Sequence, residues 1–329
     1  MQRRRGMNNW NEQIYQYAVV DIGANSVRMN IYDIDTMDGS FSVSASARSM
    51  LGLAAYVKDG ALTPDGCGKL FAVLREFLAR ANSVPCDGFA AFATASLRGL
   101  SNSEKICLSI KEKLGIDIEI ISGETEAGYD LSAIRYRFPE ADKGVLIDMG
   151  GGSTEIVAFD GETVRAAASL PIGCVMLMKS FTSCTKREPF PKKEDTLHIR
   201  EYVKTTLSSL PELQNLGGNA FLIGGTARAA AKLHSALTNE KPIVDGYTFS
   251  LSELQKTADA AFRDARKGGK LLRSTVPDRI TTVLPGLCAY LVIAEYMGLS
   301  AFTLSGAGVR EGYLLEFIKK TFLRKSQEF

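Results

Sequence analysis

The sequence predicts an α/β protein of two similar lobes, each a mixed five-stranded sheet with flanking helices, with a cleft between them. The first observation is a pair of turns in which an aspartate ends an apolar strand and glycines follow: Asp21-Ile-Gly-Ala-Asn-Ser26 and Asp148-Met-Gly-Gly-Gly-Ser-Thr154. The second is an order of strands and helices that occurs twice along the chain. Glycine turns let backbone N–H groups approach a phosphate, because no Cβ intervenes. Two such turns suggest two lobes that clamp one phosphorylated ligand.

The first half of the chain predicts the order strand–strand–strand–helix–strand–helix–strand. Apolar and alternating runs predict its strands over 17–24, 27–34, 41–48, 88–94 and 117–121. Thr63 can cap a helix over 63–81 and Pro64 suits its first position. A second helix is expected over 103–114.

The second half predicts a diverged copy of the same unit. Its strands are expected over 145–148, 154–159, 163–169, 220–223 and 302–304. Its helices are expected over 226–233, 251–267, 277–298 and 309–322, after a further helical stretch that follows the third strand. We expect a first lobe of residues 1–125 with 306–329 and a second lobe of residues 126–305, with the boundary in a helix over 124–137.

Composition narrows the classes of protein. The net charge is +2 at pH 7, so bulk charge does not favour a nucleic-acid binder. The six cysteines show no Cys-x-x-Cys pair and are expected to be reduced thiols. No apolar run has the length and continuity of a signal peptide or a membrane span. We therefore expect a cytoplasmic protein with neither nucleic acid nor membrane as a partner. With two histidines only, catalysis would rest on carboxylates and a metal.

Seven segments together resemble the exopolyphosphatase / guanosine pentaphosphate phosphohydrolase family. Each is a weak signal alone, but their shared order across about residues 18–314 is specific. The resemblance implies the fold of the actin, sugar-kinase and heat-shock-protein-70 superfamily, with two ribonuclease-H-like lobes. It also implies a short form without the extra C-terminal helical domain of longer members, and a homodimer. The segments are Asp21-Ile-Gly-Ala-Asn-Ser-Val-Arg28, Ala93-Thr-Ala-Ser-Leu-Arg98, Ile121-Ser-Gly-Glu-Thr-Glu-Ala127, Asp148-Met-Gly-Gly-Gly-Ser-Thr-Glu155, Leu170-Pro-Ile-Gly173, Gly224-Gly-Thr-Ala-Arg228 and Leu304-Ser-Gly-Ala-Gly-Val-Arg-Glu-Gly312.

Asp21 and Asp148 are the predicted metal ligands, and we expect them to face each other across the cleft. Two carboxylates can hold one Mg²⁺ or Mn²⁺, which keeps most of its waters and bridges phosphate oxygens. An isolated aspartate at a strand end more often forms a turn or a cap, but both residues open a Gly-rich turn. Glu155, which ends the second of these motifs, is assigned to the same metal site.

Phosphate binding is assigned to the two turns and to two arginines. The planar guanidinium groups of Arg28 and Arg98 can each bond two phosphate oxygens. Arg98 follows an apolar strand and a Thr-Ala-Ser turn, which argues against a plain surface ion pair. Backbone N–H groups and hydroxyls would come from Asn25, Ser26, Thr94, Gly150, Gly151, Gly152, Ser153 and Thr154.

Glu126 is the predicted general base. The resemblance places the catalytic glutamate of the family at this position, directly before the alanine. A carboxylate in reach of a water can take its proton as the water attacks the terminal phosphorus. From the residue alone, a glutamate in the first turn of a helix more often complements the helix N-terminus. Asp21 and Asp148 complete the predicted catalytic group.

Four positions depart from the family pattern, and one of them is Thr281, which replaces a common aspartate. Thr125 replaces the first of two adjacent glutamates, and it would occupy the third position of a helix capped by Ser122, where a glutamate would complete a capping box. Met176 stands where an arginine is common, and Asp245 where a histidine often precedes Gly-Tyr. We expect these changes to affect substrate preference more than the hydrolysis reaction itself.

The sequence thus predicts an exopolyphosphatase that releases orthophosphate from the end of inorganic polyphosphate, with guanosine pentaphosphate as an additional or competing substrate. One alternative is a non-catalytic sensor of polyphosphate or alarmone, for which the departures leave room. Another is an ATP-dependent sugar or acid kinase, because the superfamily includes such enzymes. The segment 122–127 favours the phosphatase over the kinase.

Overall fold

The computed structural model describes residues 14–185, 187–239, 245–263 and 266–323. The first half contributes seven strands and three helices to this part of the chain. The strands are β1 (Ile14–Ile22), β2 (Val27–Asp35), β3 (Phe41–Ser49), β4 (Val57–Lys58), β5 (Ala61–Leu62), β6 (Gly88–Ala93) and β7 (Ile118–Ile120). The helices are α1 (Pro64–Asn82), α2 (Ser103–Leu114) and α3 (Gly123–Arg137).

The second half contributes the remaining elements of the described residues. Its strands are β8 (Lys143–Met149), β9 (Thr154–Asp160), β10 (Thr163–Leu170), β11 (Asn219–Ile223), β12 (Thr248–Ser250) and β13 (Ala301–Leu304). Its helices are α4 (Cys174–Phe181), α5 (Lys193–Ser208), α6 (Gly224–Thr238), α7 (Leu251–Phe262), α8 (Lys267–Thr275), α9 (Val283–Met297) and α10 (Val309–Ile318).

The two predicted sheets are present. The first has the strand order β3-β2-β1-β6-β7 and the second β10-β9-β8-β11-β13-β12. In each sheet an antiparallel meander of three strands is extended by parallel strands. The prediction of five strands is therefore right for the first sheet and wrong for the second, where β12 pairs antiparallel with β13 as a sixth strand.

Two helices connect the lobes. The apolar face of α3 packs on the second sheet, and α10 packs in an aromatic and aliphatic cluster with β1 and β2. The two helices also pack on each other, and Gly312 of α10 lies directly on the backbone of Tyr129 in α3. This crossing fixes the position of the first turn of α3 relative to both sheets.

The largest core lies in the second lobe around α9. Every residue from Val283 to Ala294 on this helix is buried, which explains why its sequence is apolar on all sides. Within the described residues, no helix is long and apolar enough to span a membrane.

Candidate functional site: an acidic and arginine-lined cleft between two glycine turns

The two glycine turns predicted from the sequence are structurally equivalent. The N–H of Gly23 donates to the carbonyl of Ser26 at 3.1 Å, and the N–H of Gly150 donates to the carbonyl of Ser153 at 2.9 Å. Each turn closes the first hairpin of its sheet, between β1 and β2 or between β8 and β9. Each hairpin therefore presents one aspartate and one run of backbone N–H groups at the same edge of its sheet.

A cleft of about 610 Å³ lies between these turns. It brings together predicted site residues of both lobes, and leaves out only Arg98, Thr154 and Glu155 of that set. The predicted residues that line it are Asp21, Asn25, Ser26, Arg28, Thr94, Glu126, Asp148, Gly150, Gly151, Gly152 and Ser153.

The strand register explains which side chains neighbour the two aspartates. Asp21 lies directly opposite Arg28 across β1 and β2, and Asp148 lies directly opposite Glu155 across β8 and β9. Residues that face each other in an antiparallel pair share one side of the sheet. The first aspartate is therefore beside a cation, whereas the second is beside another acid.

This difference acts on the pKa of each carboxyl group. Burial and the Glu155 and Asp21 carboxylates raise the pKa of Asp148 to about 7, although Arg228 and Arg28 oppose the shift. Burial also raises the pKa of Asp21, against the lowering effect of Arg310 and Arg28. Because a bound cation favours the ionised form of a carboxyl group, both aspartates are suited to a positively charged ligand.

Glu126 enters the cleft from the first turn of α3, and 6 % of its surface is exposed. Ser122 caps this helix by accepting the N–H of Thr125 at 3.0 Å, so Thr125 does occupy the third helical position. Burial, followed by the charges of Glu155 and Asp148, raises the pKa of Glu126 to about 9. An ion pair with Arg98 opposes this rise.

The Arg98 side chain does not lie where the sequence predicted it. Its Nη2 donates to Glu126 Oε2, and its Nε donates to the carbonyl oxygen of Ile121 at 3.0 Å. The guanidinium group is thus behind Glu126 and does not line the cleft. Its direct partner in the structure is the predicted base, where the sequence had suggested a phosphate.

Thr154 and Glu155 also lie outside the cleft lining. The Thr154 hydroxyl donates to the carbonyl of Ile172 at 2.8 Å, and the side chain is buried. Glu155 is 1 % exposed, and its Oε1 accepts the Ser169 hydroxyl at 2.7 Å. Both residues are β9 positions whose side chains bond within the second lobe.

Two of the departures from the family pattern have structural partners. Asp245 forms an ion pair with Arg137 at the end of α3 and accepts the N–H of Gly306 at 2.7 Å. Met176 lies on α4 and packs against the core of the second lobe. Neither side chain lines the cleft.

Three arginines near the aspartates were not assigned from the sequence. Arg279 lines the cleft, and Arg228 and Arg310 line an adjoining cavity of about 320 Å³ that shares Asp21, Arg28 and Asp148 with it. Arg228 and Arg310 lie within two of the seven motifs, so the motifs did signal them. Arg279 comes from a short 3₁₀ turn, Pro277–Arg279, that has no periodic pattern.

The two aspartates fit a divalent cation by their chemistry. Both face the cleft, and no described residue forms a hydrogen bond or ion pair with either carboxylate. Oxygen ligands are those that Mg²⁺ prefers. In the described ranges no group of three or more His, Cys, Asp or Glu side chains is arranged to hold a metal. The protein would therefore supply two carboxylates, and water and phosphate oxygens the other ligands.

The chain is similar to known proteins over most of its length. Residues 31–321 match the family model described as the Ppx/GppA phosphatase family. A curated relative from Vibrio vulnificus, named guanosine-5'-triphosphate,3'-diphosphate pyrophosphatase, is 27% identical over 306 residues, which cover 92% of this chain and 59% of the relative. The chain thus spans about three fifths of the length of that relative.

Solved structures show the same architecture. A Ppx/GppA family member from Aquifex aeolicus is 26% identical with a TM-score of 0.76, over 93% of this chain and 98% of that one. An exopolyphosphatase from Cytophaga hutchinsonii shares the fold with a TM-score of 0.83 at 20% identity, over 93% and 98% of the two chains. Since the family model covers most of the sequence, this chain belongs to the Ppx/GppA phosphatase family.

Proposed function

We propose that this chain hydrolyses the terminal phosphoanhydride bond of inorganic polyphosphate and releases orthophosphate, and that guanosine pentaphosphate is a further substrate of the same site. One observation carries the proposal: Asp21, Asp148 and Glu126 line a single cleft together with two equivalent glycine turns. The Vibrio relative, which is named as a pyrophosphatase, supports a phosphoanhydride as the bond that is broken.

The turns and Arg28 would bind the terminal phosphoryl group. Backbone N–H groups at residues 24–26 and 151–153 approach the cleft from opposite lobes, so they can contact different oxygens of one group. Asp21 and Asp148 would hold Mg²⁺ or Mn²⁺, which neutralises charge on the phosphate oxygens. Because Glu155 lies behind the cleft, we assign it no direct ligand role in this proposal.

Glu126 would act as the general base. Water attacks the terminal phosphorus, the bond from phosphorus to the bridging oxygen breaks, and the shortened chain leaves with that oxygen. The proton of the attacking water passes to Glu126, whose ionised form is favoured by Arg98. Thr154 would contribute by holding the second turn through its bond to Ile172.

The test is orthophosphate release from medium-chain polyphosphate and from guanosine pentaphosphate in the presence of Mg²⁺. We expect Glu126→Gln to lower kcat by about 10²- to 10⁴-fold without loss of the fold. Glu124→Gln is the matched control, since Glu124 is exposed on the same first turn of α3. Turnover that survives Glu126→Gln at full rate would refute the assignment of the base.

Binding without release would favour a sensor. If the native protein binds polyphosphate tightly and releases no orthophosphate with either Mg²⁺ or Mn²⁺, the proposed hydrolase is wrong. The family resemblance also leads us to propose a homodimer in the cytoplasm, and sedimentation of the purified chain would test the dimer.

A further inference from the structure

A second cavity continues from the cleft toward solvent. It has a volume of about 480 Å³, and it shares Arg28, Gly225 and Arg279 with the cleft. Its walls come from three separate parts of the chain, β2–β3, the first three turns of α6 and the segment 275–279. A ligand held at the aspartates can therefore extend into this second cavity, which we call the outer pocket.

The outer pocket is strongly cationic. Five cationic side chains line it against one acid, Asp278. Across the described residues, none of the five forms an ion pair with a carboxylate. The five are Arg28, Arg48, Arg228, Lys232 and Arg279.

Burial and the repulsion between neighbouring arginines lower the pKa values of cations in this pocket. Burial and the nearby Arg228 and Arg310 lower the pKa of Arg28 to about 9. Burial and Arg279 also lower the pKa of Arg48. Cations that disfavour one another without a countercharge are stabilised by a bound anion. The pocket is therefore complementary to a ligand with several negative charges.

The arginines are held in place by backbone geometry. The guanidinium group of Arg279 lies against Gly225 so closely that a Cβ at residue 225 would overlap it. Arg28 donates from Nε to the Ser26 hydroxyl at 3.2 Å. Arg48 and Lys232 are exposed, and they line the outer pocket but neither of the two cavities that contain the aspartates. We call these two residues the rim.

The remaining lining indicates which anion fits. It consists of small aliphatic and polar residues, and no aromatic side chain lines the outer pocket, the cleft or the adjoining cavity among the residues that the structure describes. Nucleobases are commonly bound by stacking on aromatic side chains. Successive phosphates need cations only, so the lining favours an inorganic chain over a guanosine nucleotide.

We propose that Arg48 and Lys232 select substrates by length, because they bind internal phosphates of a linear polyphosphate whose terminal group lies at Asp21 and Asp148. The inference rests on the proposed function, and it predicts a preference for medium-chain polyphosphate over both tripolyphosphate and guanosine pentaphosphate. On this proposal tripolyphosphate ends before the rim, whereas a longer chain contacts both residues.

The experiment compares kcat and KM for these three substrates in the native protein and in Arg48→Gln/Lys232→Gln. We expect the double variant to lower kcat/KM for medium-chain polyphosphate about tenfold, mainly through KM, at about 0.7 kcal/mol per exposed cation. The kcat/KM for tripolyphosphate should change less than twofold. Lys105→Gln/Lys113→Gln on α2 removes the same charge from a remote groove, and should leave all three substrates unchanged.

Other outcomes would overturn the proposal. An equal loss for tripolyphosphate and medium-chain polyphosphate, or no loss for either, would show that the rim does not sense length. A loss confined to guanosine pentaphosphate would assign the pocket to a 3'-diphosphate. If the native protein hydrolyses nothing, the proposed function fails. Calorimetric binding of medium-chain polyphosphate to native and double-variant protein then decides the role of the rim, and equal affinities would refute it.

Discussion

Glu126 is held beside Arg98 in surroundings that otherwise favour its neutral form. Burial and the carboxylates of Glu155 and Asp148 raise its pKa, and only the Arg98 guanidinium among the causes lowers it. A base works only when it is ionised. In the proposed mechanism Arg98 therefore sets the pH range in which Glu126 would accept a proton.

We predict that Arg98→Gln moves the acidic limb of the pH–rate profile to higher pH. Without the cation the pKa of Glu126 rises further, so a smaller fraction of Glu126 is ionised at each pH on the acidic limb. The measurement is kcat/KM from pH 6 to 10, with Arg75→Gln on the exposed face of α1 as the control. A limb that stays in place while KM rises would instead support Arg98 as a phosphate ligand.

Arg28 and Arg98 show which contacts of a single residue can be predicted from the sequence and which cannot. Arg28 directly follows a Gly turn, and the short hairpin alone places it opposite Asp21. Arg98 meets Glu126 only because β6 and β7 pair in parallel and bring the chain at 94–98 to the start of α3. That contact joins residues 28 apart, which no local motif encodes.

At the scale of elements, the α3–α10 crossing couples the proposed base, Glu126, to both lobes. A Cβ at Gly312 would overlap the backbone of Tyr129, so the two helices are as close as their backbones allow. Gly312→Ala must separate them. We expect a loss of about 1–3 kcal/mol in the free energy of unfolding and a lower kcat, because α3 carries Glu126.

Gly128→Ala is the matched comparison for this crossing. Gly128 lies on the exposed face of α3, and a Cβ there would meet no atom within 4 Å. Alanine should stabilise the helix by about 0.5–1 kcal/mol. Urea unfolding of both variants gives the two free energies. Equal effects of the two substitutions would show that the close approach of α3 and α10 is not a constraint.

Long elements were predictable from sequence and short ones were not. α1, with its Thr63 cap and Pro64, begins where the pattern places it. β12 is three residues long and ends at Ser250, which caps α7. It is therefore too short to show the alternation of apolar and polar residues that predicts a strand. A single helix was expected over 251–267, but α7 ends at Phe262 and α8 runs separately from Lys267. Gly268 and Gly269 weaken the local helix propensity there. Packing of these residues against Phe190 stabilises α8 instead.

At the scale of the whole molecule, folding gathers acids from both halves of the chain. Asp21, Glu126, Asp130, Asp148 and Glu155 influence one another's ionisation, and the pKa of each is raised, with burial as the largest cause. The sequence marked four of the five through its turn motifs. Asp130 was not predicted, because a lone aspartate within a helix belongs to no motif and its burial depends on the tertiary packing of α3.

Asp130 is the most isolated member of this acid cluster. It is fully buried, and neither carboxyl oxygen has a hydrogen-bond partner. Gly308 of the segment before α10 lies over one oxygen. A carboxyl group in such a place is stable only as the neutral acid. The folded protein therefore keeps a proton on Asp130 at a pH where the unfolded chain has released it.

This difference gives the stability of the whole molecule a defined pH dependence. Because the folded pKa of Asp130 is raised, the folded state binds more protons, and the free energy of unfolding falls as pH rises above about 4. The fall amounts to about 1.4 kcal/mol per pH unit until the folded pKa is reached. Asp130→Asn keeps the shape and removes the titration. We expect urea unfolding at pH 5, 6, 7 and 8 to show the variant gaining stability relative to the native protein as pH rises, until the folded pKa of Asp130 is reached. A constant difference across that range would mean that Asp130 has an ordinary pKa and a partner in solution.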